Sequence, residues 1–290
     1  MVSPAGYMPV EKMQACIESL DAWGYNVQLG TTTHSNSSNY FSGTDDERLE
    51  DLQNMLDDHS VKAVLCARGG YGMSRIIDRI SFKRFLKRPK WIIGFSDITV
   101  LHAHIYSNFK IASLHAPMAA AFMDGDGDNP YLRSLRDVLE GKPSHYECPA
   151  HPMNRNGMVK GQLVGGNLAL LTHLSGTRSD IKTKDRILFI EDVGEYLYNI
   201  DRMMIQLKRS GKFKKLGGLI VGGFTDTKDT ERPFGKSVHD IIYDHIKEYK
   251  FPVCFDFPVS HGRENYSLKI GMKYHLQVTS EAVSLIDHFA

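Results

Sequence analysis

Residues 91–99 read Trp-Ile-Ile-Gly-Phe-Ser-Asp-Ile-Thr, and this stretch decides how the rest of the chain is interpreted. An apolar run typical of a buried strand ends at Gly94, and an apolar helical pattern begins shortly after Ser96. A turn of this kind lifts a hydroxyl above a parallel sheet and sets it at a helix N-terminus, where the helix dipole favours developing negative charge. The pattern makes Ser96 a candidate nucleophile. Taken alone it favours a helix N-cap role, because Ile98 occupies the position of the last glycine in the usual G-x-S-x-G elbow.

On both sides of this turn, strand-like and helix-like segments alternate along the chain, which is typical of an α/β fold. The patterns predict strands at residues 25–29, 61–67, 92–95, 158–163, 187–191, 216–222 and 268–278. They predict helices at residues 10–23, 47–58, 98–106, 131–139, 167–174, 200–210 and 237–249. The first half therefore has the βαβ order of a parallel sheet of the flavodoxin or Rossmann type.

A polar stretch that contains glycine and proline, residues 143–157, is the best candidate for a linker between two units. We therefore expect an N-terminal domain at residues 1–142, which carries the serine. We expect a second, mixed α/β domain at residues 158–290.

The composition is that of an ordinary globular protein and argues against several classes of function. The 290 residues are 42% hydrophobic and 24% charged, and the formal net charge of +1 argues against a dedicated nucleic-acid surface. The longest apolar runs are strand-sized, far short of the roughly 20 residues that a membrane-spanning helix needs. The four cysteines are scattered without C-x-x-C spacing, as expected of core residues in a reducing compartment. We expect a cytoplasmic protein without nucleic-acid or membrane partners.

A glycine-rich loop follows the apolar run at 61–67 and reads Ala67-Arg68-Gly69-Gly70-Tyr71-Gly72. Glycines let the backbone approach a ligand closely and present N–H groups to an anion, either a phosphate or the oxyanion of an acyl-transfer intermediate. The loop is not a Walker loop, because no Gly-Lys-Ser/Thr follows. A tight turn without a ligand is the alternative interpretation.

Two further segments carry groups that could activate a serine. Residues 187–195 run from an apolar strand into Glu191, Asp192 and Glu195, and carboxylates at the carboxyl end of a strand lie where α/β sites usually form. Residues 257–265 place His261 after a short apolar run, and histidine is the side chain best suited to accept a serine proton near neutral pH. On this reasoning any of the three carboxylates could be the acid, and the chain has 13 histidines.

Together these segments, with Gly165-Gly166-Asn167-Leu168 and residues 199–203, resemble the LD-carboxypeptidase family of serine peptidases, which includes the microcin C self-immunity peptidases. The resemblance implies a Ser-Glu-His triad divided between two domains. Ser96 would be the nucleophile, His261 the general base and Glu191 the acid that orients it. The chemistry agrees, because a serine hydroxyl needs an imidazole to take its proton, and the imidazole needs a carboxylate to fix its tautomer.

The chemistry of the elbow and of the glycine-rich loop indicates where the remaining parts of the site lie. The oxyanion would be bound by the backbone N–H groups of Asp97 and Gly70. Substrate would contact Arg68 and Tyr71. We expect no cofactor, and a homodimer is the assembly that the family suggests.

The activity implied by the family is removal of a terminal D-amino acid from an L-centre, typically D-alanine from a murein tetrapeptide during peptidoglycan recycling. One alternative keeps the triad and changes the substrate to a peptidyl or aminoacyl nucleotide, as in microcin immunity. The other alternative is a non-catalytic protein that binds an anion or peptide through Arg68-Gly69-Gly70.

Several other polar residues invite a functional interpretation that we do not favour. His102 and His104 follow Ser96 on one helix at roughly 9 to 12 Å along its axis, too far to reach back as a base. His115 is expected in the core or behind the site. Asp201 and Arg202 could pair with neighbouring groups or contact substrate.

We also expect no catalytic metal. The acidic run 124–129 begins like an EF-hand loop, but Asn129 replaces its glycine and Leu135 its bidentate glutamate. His239 and His245 are not spaced to share one helical face.

Overall fold

The computed structural model describes residues 1–35, 37–123 and 129–287. It is an α/β protein with one sheet of four strands and one of seven, which confirms the predicted fold class. None of the helices in these three ranges combines the length and the apolar character needed to cross a membrane.

The first half of the chain supplies five helices and three short strands. The helices are α1 (Gln14–Ala22), α2 (Asp45–Asp57), α3 (Met73–Ile76), α4 (Thr99–Phe109) and α5 (Pro130–Leu139). The strands are β1 (Ala63–Leu65), β2 (Trp91–Gly94) and β3 (Ser113–His115). Short 3-10 segments lie at Val10–Lys12, Thr31–His34, Ile77–Arg79, Phe85–Lys87, Ser96–Ile98 and Ala119–Phe122.

The second half supplies three helices and eight strands. The strands are β4 (His145–Pro149), β5 (Gly157–Asn167), β6 (Ile187–Val193), β7 (Gly218–Thr225), β8 (Val253–Cys254), β9 (Leu268–Ile270), β10 (Lys273–Val278) and β11 (Ala282–Asp287). The helices are α6 (Leu168–His173), α7 (Leu197–Arg209) and α8 (Val238–Ile246).

The first sheet has the strand order β1-β2-β3-β9, and its last strand comes from the far end of the chain. β1, β2 and β3 are parallel, whereas β9 pairs antiparallel with β3. The predicted strand 268–278 is therefore two strands in two sheets, separated by a turn at Gly271 with φ of +89°. Near the N-terminus, Val2 makes an isolated parallel bridge to Cys66. The C-terminal half thus completes the sheet that carries Ser96.

The second sheet has the strand order β4-β11-β10-β5-β6-β7-β8. In this order, the four strands from β5 to β8 pair in parallel. The pairs β4–β11, β11–β10 and β10–β5 are antiparallel. β4 lies within residues 143–157, so the predicted linker contains a strand that pairs with β11. The domain limits at 142 and 158 stay a prediction.

One predicted strand of the first half is wrong. Residues 25–29 form no strand in the described chain, and the Gln28 carbonyl instead accepts a hydrogen bond from the Met1 amino group at 2.5 Å. The Gly30 N–H also donates to the Met1 carbonyl at 2.8 Å, but two bonds to one residue do not make a ladder, although the alternating pattern of the segment resembles a strand.

The site is positioned by the contact between the two sheets. α4, which follows Ser96, packs against β5 and α6 of the second half. The Asn167 N–H at the end of β5 donates to Thr99 Oγ1 of α4 at 3.1 Å, and Asn167 is in register with Glu191 on β6. The carboxyl ends of β2, β5 and β6 therefore meet in one region, as expected of parallel strands in an α/β fold.

Candidate active site

Ser96 lies in a strained turn between β2 and α4. Phe95 is extended, with φ of −147°, and Ser96 has φ of +61°, a left-handed conformation that is uncommon for a residue other than glycine. The ring of His102 on α4 holds this turn, because its Nε2 donates to the Gly94 carbonyl at 2.8 Å. Burial lowers the pKa of His102 to about 4, so the ring is neutral at physiological pH. The turn has the geometry predicted for a nucleophile elbow.

The glycine loop packs directly against this elbow. A Cβ on Gly69 would lie 2.9 Å from the Ser96 Cβ and 3.2 Å from the Asp97 nitrogen, so only glycine fits there without a shift. Gly70 has φ of +96°, which also favours glycine. Asp97 lies in the first turn of the helical segment that begins at Ser96, where backbone N–H groups have no acceptor within the helix. The glycine loop and the elbow thus lie directly against each other at Ser96.

Glu191 and His261 form a buried acid–base pair. Glu191 is fully buried on β6, and its Oε2 lies 2.6 Å from the His261 Nδ1. Because an ionised carboxylate only accepts, Nδ1 carries the proton and Nε2 is the nitrogen that can accept one. His261 Nε2 has no hydrogen-bond partner in the described chain. This is the arrangement of a general base oriented by a carboxylate.

The imidazole of His261 contacts the elbow at Phe95. The two rings meet edge-on with centroids 4.8 Å apart, and Phe95 is the residue before Ser96. No hydrogen bond joins His261 Nε2 to another described group, so the contact with the Ser96 hydroxyl is not made in this structure. His261 lies in a turn closed by the bridge between Val259 and Asn265.

The other two carboxylates near the end of β6 are engaged elsewhere. Asp192 points to the opposite side of the strand and accepts from the Asn167 side chain at 2.7 Å and the Ala169 N–H at 2.9 Å. Burial raises the pKa of Asp192 to about 6. Glu195 accepts a hydrogen bond from the Asn199 side chain. Among these three acids, only Glu191 contacts His261 in the described structure.

The alternative histidines are held away from the serine hydroxyl by other contacts. His104 Nδ1 lies 2.9 Å from the Ser179 hydroxyl, on the far side of α4. His115 is fully buried, with its ring 4.8 Å from that of Phe189 and 5.6 Å from that of Phe95. Burial lowers the pKa of His115 far below its ordinary value, so this ring is a neutral part of the core behind the elbow.

A cavity of about 560 Å³ lies beside Phe95 and His261. Its apolar wall includes Met118, Ala120, Ala121 and Leu132, and its basic side chains are Lys12, Arg68 and Arg263. The Arg68 guanidinium donates to the Tyr7 carbonyl at 2.6 Å. Tyr71 does not line this cavity; its ring is exposed and packs 5.8 Å from that of Phe41. The substrate contact predicted for Tyr71 stays a prediction.

Several residues at the site received no role from the sequence. Asn167 caps α6 by accepting from the Leu170 N–H at 3.1 Å, and it also links Thr99 to Asp192. A Gly-Gly-Asn at the end of a strand and before a helix is a recognisable N-cap signal. The cavity residues Lys12 and Tyr131 carry no local signal, because they come from distant segments.

Potential metal ligands lie together away from the cavity. One ring nitrogen of His151, one of His239 and a carboxylate oxygen of Asp256 are within 4.8 Å of one another. His239 Nε2 bonds to Asp256 at 2.7 Å, and the Met153 N–H donates to His151 Nδ1 at 3.1 Å. These groups are therefore engaged in hydrogen bonds of their own. Residues 124–128 of the acidic run are outside the described residues.

The paired His245 and Asp201 illustrate the structural interpretation of residues 199–203. His245 Nε2 lies 2.7 Å from Asp201 Oδ1, which joins α8 to α7. The Arg202 guanidinium lies 5.3 Å over the ring of Tyr198. Both residues thus have partners within their own half of the molecule.

Comparisons with known proteins agree across the chain. The family model described as LD-carboxypeptidase N-terminal domain matches residues 1–116, and the one described as LD-carboxypeptidase C-terminal domain matches residues 160–276. A probable murein peptide carboxypeptidase of Bacillus subtilis is 35% identical over 99% of this chain and 90% of its own length.

Solved structures show the same architecture. A muramoyltetrapeptide carboxypeptidase from Oxalobacter formigenes superposes with a TM-score of 0.89 at 27% identity, covering 99% of this chain and 97% of that one. MccF in complex with glutamyl sulfamoyl guanosine shares the fold at 20% identity, with a TM-score of 0.87 over 99% of this chain and 95% of that one. With both family models matched in order and a relative 35% identical over almost the whole chain, this protein belongs to the LD-carboxypeptidase family.

Proposed function

We propose that this protein is a serine carboxypeptidase that hydrolyses an L-to-D amide bond and releases terminal D-alanine from a murein tetrapeptide in peptidoglycan recycling. The observation that carries the proposal is the buried Glu191–His261 pair, which leaves Nε2 unpartnered beside the strained Ser96 elbow. A binding protein would not require an oriented imidazole next to a serine.

In the proposed reaction His261 Nε2 takes the proton of the Ser96 hydroxyl as the oxygen attacks the scissile carbonyl. The negative charge that develops on the carbonyl oxygen is stabilised by the N–H groups of Asp97 and Gly70. The imidazolium, held by Glu191, then protonates the leaving D-amino acid. Water, activated by the same imidazole, hydrolyses the acyl-enzyme and regenerates the serine.

The cavity supports a substrate with a small terminal residue. A carboxypeptidase substrate ends in a carboxylate, and Lys12, Arg68 and Arg263 place positive charge around the cavity. Ala120 and Ala121 on its apolar wall suit the methyl group of alanine. Relatives named for murein peptides favour this substrate over the other candidates of the sequence.

The decisive experiment incubates the protein with a tetrapeptide ending in D-alanine, with its L-alanine epimer and with an aspartyl-adenylate analogue, and follows the products by mass. We expect D-alanine to be released from the first peptide only. Cleavage of the adenylate analogue alone would instead favour the nucleotide substrate of the microcin-immunity type.

The control for the chemistry is Ser96→Ala. We expect turnover to fall by on the order of 10⁴-fold or more, because the nucleophile is lost, while the thermal unfolding temperature stays near that of the wild type. Labelling of Ser96 by a fluorophosphonate should disappear in parallel. Retained turnover in this variant would exclude the triad, and a wild-type protein that neither turns over nor is labelled would be a binding protein.

The proposal also includes a cytoplasmic location and a homodimer. Fractionation of cells and the mass of the purified protein in solution test these two points independently of the activity.

A further inference from the structure

The glycine loop is fastened to the elbow by the side chain that follows the nucleophile. Asp97 is buried, and its Oδ2 accepts a hydrogen bond from the Met73 N–H at 2.8 Å. Met73 begins α3 immediately after the glycine loop. The carboxylate therefore ties the end of the loop to the turn that carries Ser96, across 24 residues of chain.

A second buried side chain holds the same loop from the other side. Arg48 on α2 is fully buried, and its Nη1 donates to the Gly72 carbonyl at 3.2 Å and to the Pro4 carbonyl at 2.7 Å. A Cβ on Gly72 would lie 2.6 Å from that nitrogen, so the loop is pressed against the guanidinium. The Gly72 carbonyl and the Met73 N–H belong to one peptide group, and a buried side chain bonds to each of them.

The beginning of the loop is also constrained. The Gly6 N–H donates to the Gly69 carbonyl at 3.0 Å, and Gly69 has no room for a side chain beside Ser96. Between these two anchored ends lies Gly70, whose N–H is one of the two proposed oxyanion donors. The direction of the Gly70 N–H bond therefore depends on where Asp97 holds Met73.

We infer that Asp97 is a positioning residue, whose carboxylate sets the glycine loop so that the N–H groups of Gly70 and Asp97 converge on one oxygen of the substrate. The catalytic part of this inference rests on the proposed function. One residue then contributes twice: its backbone donates to the oxyanion and its side chain orients the second donor.

A buried carboxylate is energetically costly, which supports a specific role. Burial raises the pKa of Asp97 to about 6, and the second carboxylate oxygen, Oδ1, has no partner in the described chain. A buried polar atom without a partner destabilises the folded state. Stability of the fold alone would favour an apolar side chain here.

The test compares Asp97→Ala with Asp97→Asn, which keeps an oxygen that can accept from the Met73 N–H. The matched control is Asp51→Ala, because Asp51 is another buried carboxylate that accepts backbone N–H groups, from Thr31 and Thr32, without touching the glycine loop. The measurements are kcat and KM on the D-alanine tetrapeptide, and amide hydrogen exchange of residues 69–76.

We expect Asp97→Ala to speed exchange in residues 69–76 and to lower kcat by about 10- to 100-fold, with KM changed less than about threefold, because the donors act on the transition state. Asp97→Asn should restore slow exchange and most of kcat. Asp51→Ala should leave exchange of residues 69–76 and kcat at wild-type values even if it lowers the unfolding temperature.

The inference would be overturned if residues 69–76 of Asp97→Ala exchanged at the wild-type rate. It would also be overturned if the substitution changed KM and left kcat unchanged. Equal defects in Asp97→Asn and Asp97→Ala would show that the accepted hydrogen bond is not the cause. If the wild-type protein does not cleave the tetrapeptide, the proposed function fails, and the exchange measurement still decides whether Asp97 holds the loop.

Discussion

Two adjacent residues, Glu191 and Asp192, show how one strand end directs two carboxylates to different partners. Strand alternation turns the first toward His261 and the second toward Asn167 and the start of α6. Both are buried. Their different partners, rather than their burial, therefore separate the two roles that the proposed mechanism requires.

We predict that Glu191→Gln lowers kcat by on the order of 10²- to 10⁴-fold, because an amide neither fixes the His261 tautomer nor stabilises the imidazolium. Asp192→Asn should lower kcat less than tenfold, since its partners are Asn167 and the Ala169 N–H. Steady-state kinetics of the two purified variants provide the comparison. Equal losses would leave the identity of the acid open.

Asp192 also predicts a dependence of stability on pH. Burial raises its pKa from 3.8 to about 6, so the folded state binds this proton more tightly than the unfolded state. The stabilising contribution is therefore present at low pH and is lost as the pH rises from about 4 through 6. A shift of roughly two units corresponds to about 3 kcal/mol at most.

Urea unfolding of the wild type and Asp192→Asn at intervals between pH 4 and 7 measures this effect. The variant lacks the titration, so the difference between the two free energies of unfolding should move in favour of the variant by up to about 3 kcal/mol as the pH rises. The titration of Asp97 is common to both proteins and cancels in the difference. Parallel curves would contradict the prediction.

At the scale of elements, the site depends on the close approach of the glycine loop to the elbow. Gly69→Ala would place a methyl group 2.9 Å from the Ser96 Cβ and 3.2 Å from the Asp97 nitrogen, so the loop or the elbow must shift. A displacement of about 1 Å can cost on the order of 10² in rate. We predict a loss of that size in kcat.

The control for this prediction is Gly141→Ala. Gly141 has φ of +78° and nothing within 4 Å of an added Cβ, so its substitution strains the backbone without a steric contact. It should lower the unfolding temperature and leave kcat unchanged. If Gly69→Ala retained wild-type kcat, the loop would not be part of the site.

Local patterns predicted the elements that carry the chemistry. The strand before Ser96, the glycine loop and the apolar strand before Glu191 are short-range signals, and all three lie where expected. β11 was missed although its burial alternates residue by residue, because its polar face dilutes the apolar pattern. The sequence predicts one strand in place of β9 and β10, because only Gly271 interrupts an otherwise continuous strand pattern.

Contacts between distant segments could not be predicted from the sequence. The edge-on contact of Phe95 with His261 and the place of Lys12 in the cavity depend on how two sheets pack. The family resemblance supplied the pairing of Glu191 with His261, which the residues alone left open among three carboxylates. Tertiary packing, which has no local signature, decides these points.

At the scale of the whole molecule, the two sheets are not independent, because β9 completes the sheet of the N-terminal half. We predict that a fragment of residues 1–142 does not fold as a stable monomer, since it lacks β9 and leaves the β3 edge unpaired. Circular dichroism during thermal unfolding and size-exclusion chromatography of the fragment test this. A cooperative transition of a monomeric fragment would contradict it.

The position of β9 also bears on how the protein matures during synthesis. A ribosome makes β1, β2 and β3 long before β9, and domains usually begin to fold as they emerge, N-terminal part first. The N-terminal half of this nascent chain leaves the ribosome with an unpaired sheet edge, at which other chains can pair. The sheet of the half that carries Ser96 is therefore complete only after translation has passed Ile270.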